Sequence, residues 1–104
     1  MNKAELVEEI YARNDCTKTK CREIIDTFLE LVETEVSNGG LVRLVNFGTF
    51  KPRAHKSTTR FHPQTGKKIE VEAKVLPKFS PGKGFSELVK DKLEVDKEGG
   101  YRRK

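Results

Sequence analysis

Hydrophobic positions in the first forty residues recur at helical spacing. Leu6, Val7, Ile10 and Tyr11 form a short stripe, and Asn2 with Glu5 three residues later has the shape of an N-terminal cap. Arg13-Asn14-Asp15 breaks the pattern, and Thr17 is placed to cap a second helix. That helix has a longer stripe: Cys21, Ile24, Ile25, Phe28, Leu31, Val32 and Val36 lie on one side of a 3.6-residue wheel. Leu29 broadens the stripe enough to cover both an internal core and a second subunit. Ser37-Asn38-Gly39-Gly40 closes the helix, with Gly39 or Gly40 suited to the left-handed C-terminal position. A helical hairpin is predicted.

The period then changes to two. Leu41-Val42-Arg43-Leu44-Val45 is β-branched and apolar enough for a largely covered strand, and Phe47-Gly48-Thr49-Phe50 follows, its glycine permitting a bend or close backbone approach. From Lys51 to Lys68 the only large apolar residue is Phe61. Pro63-Gln64-Thr65-Gly66 has turn chemistry, and Ile69, Val71, Ala73 and Val75 alternate with Glu70, Glu72 and Lys74 as a strand does. Two strands around one turn, too polar to bury, predict a β-ribbon arm over about 51–76 that leaves the globule. Twelve extended residues, 51 to 62, span about 40 Å at roughly 3.3 Å each. A disordered loop is the competing reading when no partner is bound. Phe79 returns the chain to the body, and after Pro81-Gly82 a last helix points Phe85, Leu88, Val89 and Leu93 one way. Residues 94–104, EVDKEGGYRRK, show no periodicity and predict a basic, mobile tail behind one domain of residues 1–93. The fold class is α+β: a helical hairpin, a three-stranded antiparallel sheet with its protruding ribbon, and a C-terminal helix.

Composition sharpens this picture. Hydrophobic residues make up 35% of the 104, against 36% charged, which is thin provision for a monomeric core and points to oligomerisation. No apolar run approaches the 18 or so residues of a membrane-spanning helix, and MNKAELVEEI has no apolar stretch of the signal-peptide kind. Neither a membrane partner nor secretion is expected. The net charge of +5 is unevenly spread: residues 1–50 hold six Lys/Arg against nine Asp/Glu, and residues 51–83 hold nine against two, with both histidines in addition. Such asymmetry points to a polyanionic partner, the competing reading being a merely solvating surface.

Catalytic and metal chemistry find no foothold. Cys16 and Cys21 form no disulfide framework and read as reduced, packed thiols of a cytosolic chain; with His55 and His62 they do not match zinc-finger spacing, so no metal is expected. Serines 37, 57, 80 and 86 lack a histidine–acid constellation, the carboxylates are spread over helix surfaces, and Gly39-Gly40 and Gly99-Gly100 lack the context of a phosphate loop. No enzyme activity, cofactor or small-molecule substrate is predicted.

FGTF at 47–50, PQTGKKIEV at 63–71 and PKFSPGK at 77–83, in a helix-helix-sheet-arm-helix order over about residues 1–90, closely resemble the HU/IHF family of bacterial and phage DNA-bending proteins. The resemblance implies an intertwined dimer with a helical base and two β-ribbon arms that wrap duplex DNA through its minor groove, each arm wedging a tip proline between base pairs. Pro63 corresponds to that intercalating proline. Phe47, Gly48, Phe50 and Phe79 correspond to the dimer core, to which Phe28 is added from its place on the long stripe. Lys3 and Lys83 match phosphate-contacting body positions, Arg53 matches an arm arginine, and Gln64 follows the wedge. Asn46, His55, Lys56, Arg60, Phe61, His62, Lys67 and Lys74 complete the expected DNA-binding set. The chain departs from the family pattern where arginine is usual (His55, Thr58, Phe61), where asparagine is usual (His62) and at the family glycine (Asn46); Pro52 and Phe61 resemble phage-encoded members. The resemblance thus implies a homodimeric, nucleoid-associated or phage-encoded architectural protein that compacts and bends DNA with little sequence readout. The alternatives are an IHF-like specific subunit, even of a heterodimer, and an assembly protein whose basic arm grips an acidic protein.

Overall fold

The computed structural model describes residues 1–104. Helix α1 (Lys3–Arg13) begins where the Asn2 side chain accepts the Glu5 amide at 2.9 Å, and α2 (Lys18–Ser37) begins where Thr17 Oγ1 accepts the Lys20 amide at 3.1 Å. Cys16 and Cys21 flank the second cap one residue before it and four residues into the helix, their sulfurs 2.8 Å apart, a staple that fixes how the chain enters α2. The hydrogen bond with Cys16, together with burial, pushes the Cys21 thiol up, so it stays neutral. Helix α2 ends in paired C-terminal bonds, Gly39 N–H to Val36 and Gly40 N–H to Glu35, with Gly39 taking the left-handed conformation (φ 87°).

Strand β1 (Val42–Leu44) turns through Asn46 into β2 (Gly48–His55). Asn46 is the one non-glycine residue at positive φ (63°), and asparagine is a residue type that tolerates this conformation, so the turn survives without the family glycine. Strands β1, β2 and β5 (Lys74–Pro81) form the three-stranded antiparallel sheet, with eight residue pairs from Gly48↔Pro81 to His55↔Lys74 along β2–β5. The ribbon is then interrupted at Lys56-Ser57 and at Glu72-Ala73, and resumes as β3 (Thr58–Phe61) against β4 (Lys68–Val71). The arm is therefore two ladders in series. Helix α3 (Lys83–Lys92) follows β5, capped by Gly82 without a side-chain bond.

The C-terminal segment corrects the expected mobile tail. Leu93 leaves the helix, and β6 (Leu93–Val95) pairs with β7 (Tyr101–Arg103) in a hairpin. Asp96 closes its turn by accepting the Glu98 and Gly100 amides at 2.9 and 2.8 Å, while Gly99 supplies φ 87°. Arg102 bonds Glu94 across the strands. The signal was local: an aspartate before a Gly-Gly, flanked by short β-prone stretches.

Two small cores hold the body. Val7, Cys21 and Ile25 are the buried hydrophobic residues, clamping α1 to α2. Under the sheet, Phe79 packs its ring 4.8 Å from Phe50, 5.4 Å from Phe47 and 6.3 Å from Phe85, and Phe47 stacks on Phe85 at 5.3 Å. Phe85, assigned by sequence only to a helix face, belongs to this cluster. Phe28 does not: it sits with Ile24 and Leu31 on an exposed face of α2. The chain exposes 9219 Å², whereas a compact monomer of 11.9 kDa exposes about 6,000 Å². Its radius of gyration is 19.1 Å, against about 13 Å for a compact domain of this length.

Gly48 carries the tightest constraint. A Cβ there would lie 2.5 Å from the Phe79 ring and 2.8 Å from the Ser80 carbonyl oxygen. Gly48→Ala is expected to lower stability by about 1–3 kcal/mol, the usual cost of overpacking, read as a lower midpoint in thermal or urea unfolding; an unchanged midpoint would show that the ring moves aside freely.

Candidate nucleic-acid interface

Alternation along β2 and β5 sorts their side chains onto two faces. Phe50, Pro52 and Ala54, opposite Phe79, Pro77 and Val75, make one face apolar. With Val32 and Val36 of α2 this face borders an open cleft of about 470 Å³. Lys51, Arg53 and His55, opposite Lys78, Leu76 and Lys74, make the other face basic. Lys51 stands directly across from Lys78, and His55 across from Lys74. Like charges in direct cross-strand register destabilise a ladder, and a polyanion laid along this face would relieve them.

Beyond the interruption the faces are mixed. Phe61 and Thr59 share a side with Lys68 and Glu70, and Thr58 and Arg60 share the other with Val71 and Ile69. Phe61 is 69% exposed, with no packing role in the single chain. Its strand ends there, so the alternation that would put Phe61 and Pro63 on one ribbon face does not extend to Pro63, which lies in the turn. The tip loop is tied across its base: the His62 amide donates to the Lys67 carbonyl at 2.7 Å, and the Gly66 amide donates to the His62 carbonyl at 2.9 Å, with Gly66 at φ 69°. Gln64 is exposed in the same turn and Lys67 just after it. Lys56 lies in the break between the ladders.

Among the body residues, Lys83 opens α3, whose start is locked to the sheet by the Gly82 amide donating to the Phe47 carbonyl at 2.9 Å. Asn46 packs its backbone against Gly82 and Gly84, where a Cβ at either glycine would come within 3.2–3.3 Å. Lys3 is ion-paired to Asp26 across the helical hairpin, with both side chains about half exposed. An exposed pair of this kind holds weakly, about 0–1 kcal/mol, and can yield to a phosphate. No ion pair engages any of the nine Lys and Arg residues from Lys51 to Lys83.

The structure thus brings Arg53, His55 and Lys74 together on one face and gathers His62, Pro63, Gln64 and Lys67 at one tip. It leaves Lys3, Asn46 and Lys83 on the body and Lys56 and Arg60 along the arm. Lys51 and Lys78 belong to the basic face, although sequence reasoning passed over them. The alternation Lys51, Arg53, His55 was available as a signal, but the register that sets Lys78 opposite Lys51 was not. No group of three or more metal-ligating side chains forms, and no helix is long and apolar enough to cross a membrane.

Comparison with known proteins addresses the same residues. The family model described as bacterial DNA-binding protein matches residues 1–90. DNA-binding protein HRL18 of Rhizobium leguminosarum is 36% identical over 89 residues, covering 86% of this chain and 98% of its own length. DNA-binding protein HU-alpha of Aeromonas hydrophila is 37% identical over 90 residues, 86% of this chain and 100% of its own. Among solved structures, an Anabaena HU–DNA cocrystal superposes with a TM-score of 0.78 at 38% identity, covering 86% of this chain and 97% of that one. With its helical hairpin, three-stranded sheet and ribbon arm in the same order, the chain belongs to the HU/IHF family of bacterial DNA-binding proteins.

Proposed function

We infer that the protein acts as a homodimer that lays its two arms along the minor groove of duplex DNA, wedges Pro63 between base pairs, and so bends and compacts DNA with little sequence readout. The observation that carries this reading is the two-faced β2–β5 ladder. Its apolar face is left open over α2, and its basic face sets unpaired lysines opposite one another. A second copy suits the first face and a phosphate backbone the second. Exposed Ile24, Phe28, Leu29 and Leu31 extend the apolar surface available to that second copy. The site of action is then the nucleoid or, for a phage-encoded member, DNA inside the host.

Minor-groove edges distinguish little beyond A·T from G·C, so selectivity comes from how easily a duplex deforms. Pro63 suits a wedge because its ring is apolar and carries no N–H to leave unpaired. Unstacking one step costs a few kcal/mol, offset by the longer protein surface that bent DNA can touch.

Sedimentation at micromolar concentration is expected to give a single species at twice the 11.9 kDa chain mass; a folded species at the single-chain mass would remove the dimer. Affinity for a plain duplex is expected to fall steeply with salt, since even 6–10 phosphate contacts lose about 10³–10⁵ between 50 and 200 mM, while scrambling the sequence changes it little. A shallow salt slope, or one sequence preferred by several orders of magnitude, would contradict a general architectural binder. Pro63→Ala is expected to keep fold and dimer, to weaken linear-duplex binding by less than about tenfold, roughly 1.4 kcal/mol, and to abolish most bending in an end-to-end energy-transfer assay. Bending that persists in the variant would reduce Pro63 to a turn former.

A further inference from the structure

The tip loop contains one side chain that bonds around the wedge. His62 Nδ1 accepts the Gln64 amide at 3.2 Å and the Thr65 amide at 3.3 Å. Its own amide and carbonyl engage Lys67 and Gly66, so His62 touches each of the four residues that follow Pro63. Pro63 has no amide hydrogen and contributes nothing to this network. A side-chain acceptor capping the amides two and three residues ahead is the pattern of an Asx turn, ordinarily made by the oxygen of asparagine or aspartate. Here a ring nitrogen stands in for that oxygen.

We propose that His62 is the positioning residue for the Pro63 wedge, and that it holds the tip in bending-competent form only while its imidazole is neutral. The proposal rests on the reading of Pro63 as the wedge. An imidazole nitrogen accepts hydrogen bonds only when unprotonated, so the latch requires the neutral ring with its proton on Nε2. A proton on Nδ1 turns the acceptor into a donor facing two donors, and the latch is lost. The latched tip excludes that proton and the released tip takes it up, so acid favours release. Histidine is the side chain whose charge ordinarily changes between about pH 5 and 8. The latch therefore belongs to the neutral ring, and acidification acts against it.

The charged groups nearest along the ribbon are cationic: Arg60 on β3, Lys67 in the loop and Lys68 on β4, opposite Phe61. The carboxylate of the distal ladder, Glu70, is registered with Thr59, away from the tip, and none of these groups forms an ion pair. His55, opposite Lys74 at the break between the two ladders, makes no hydrogen bond through its ring. Protonating either histidine adds positive charge beside DNA, which acts to strengthen binding. Acidification thus separates two quantities that usually move together: affinity holds or rises while bending falls.

The test uses the intact protein at about pH 8 and about pH 5.5, with energy-transfer bending and gel shift on the same duplex, for the wild type, His62→Asn, His62→Ala and Pro63→Ala. Amide spectra of Gln64 and Thr65 in the free protein report the latch without DNA. Wild type should lose bending on acidification without losing affinity. His62→Asn, whose oxygen accepts at every pH, should bend equally at both. His62→Ala should show the bent-to-unbent ratio reduced about three- to tenfold at both, the loss expected when a single acceptor atom shared by two long amide bonds is removed. The proposal is overturned if His62→Ala bends like wild type at pH 8, if His62→Asn keeps the wild-type pH dependence, or if the Gln64 and Thr65 amides ignore both pH and substitution. Unchanged bending in Pro63→Ala would instead defeat the wedge reading itself, and this proposal with it.

Discussion

The antiparallel pairing of β2 with β5 is the constraint on which the rest of the molecule depends. Eight consecutive residue pairs hold the two strands in one register, and a shift of a single residue would exchange every side chain between faces. In this register Phe50 meets Phe79 on the inner side while Lys51 meets Lys78 on the outer. Gly48 pins the end of the ladder, because only a missing Cβ lets the Phe79 ring and the Ser80 carbonyl come so close. The aromatic cluster then seats the start of α3 through Phe85, and the Gly82 amide bonds the Phe47 carbonyl.

The same ladder explains why a single chain looks unfinished. Three hydrophobic residues are buried, all in the helical hairpin, which is too few to offset the conformational entropy of ordering over a hundred residues. The apolar side of the sheet and the broad stripe of α2 remain open, while the opposite side concentrates positive charge. Covering the first side adds hydrophobic stabilisation, and covering the second with phosphates relieves lysine repulsion. Each face of this one element is thus left with a surface that the single chain does not cover.

Along the arm the governing physics changes from burial to local hydrogen bonding. Beyond Lys56 no side chain has a core to pack against, so shape must come from the β3–β4 ladder and from the capped loop. The tip uses one left-handed glycine and one side-chain acceptor, the same economy seen at the C-terminal hairpin, where Gly99 and Asp96 fill those roles. In one loop the acceptor is an imidazole nitrogen; in the other it is a carboxylate oxygen.

The chain by itself determined the helices with their caps, the position of the arm and its turn, and the concentration of basic residues in the second half. Asn2, Thr17 and Gly39 act on amides and carbonyls within a turn of themselves, and the charge surplus of residues 51–83 needs no geometry at all. Tertiary structure decided which residues share a face. It grouped Lys51 with Lys78 and Phe85 with Phe47, split the ribbon at Lys56-Ser57, and left Phe28 outside the aromatic cluster. It also placed His62 Nδ1 on two amides, and folded residues 93–103 into a hairpin where no period was visible. The difference is one of range. Caps and periods are set by neighbours three or four positions away, whereas strand register is set across tens of residues by which packing of rings, glycine and backbone leaves no clash.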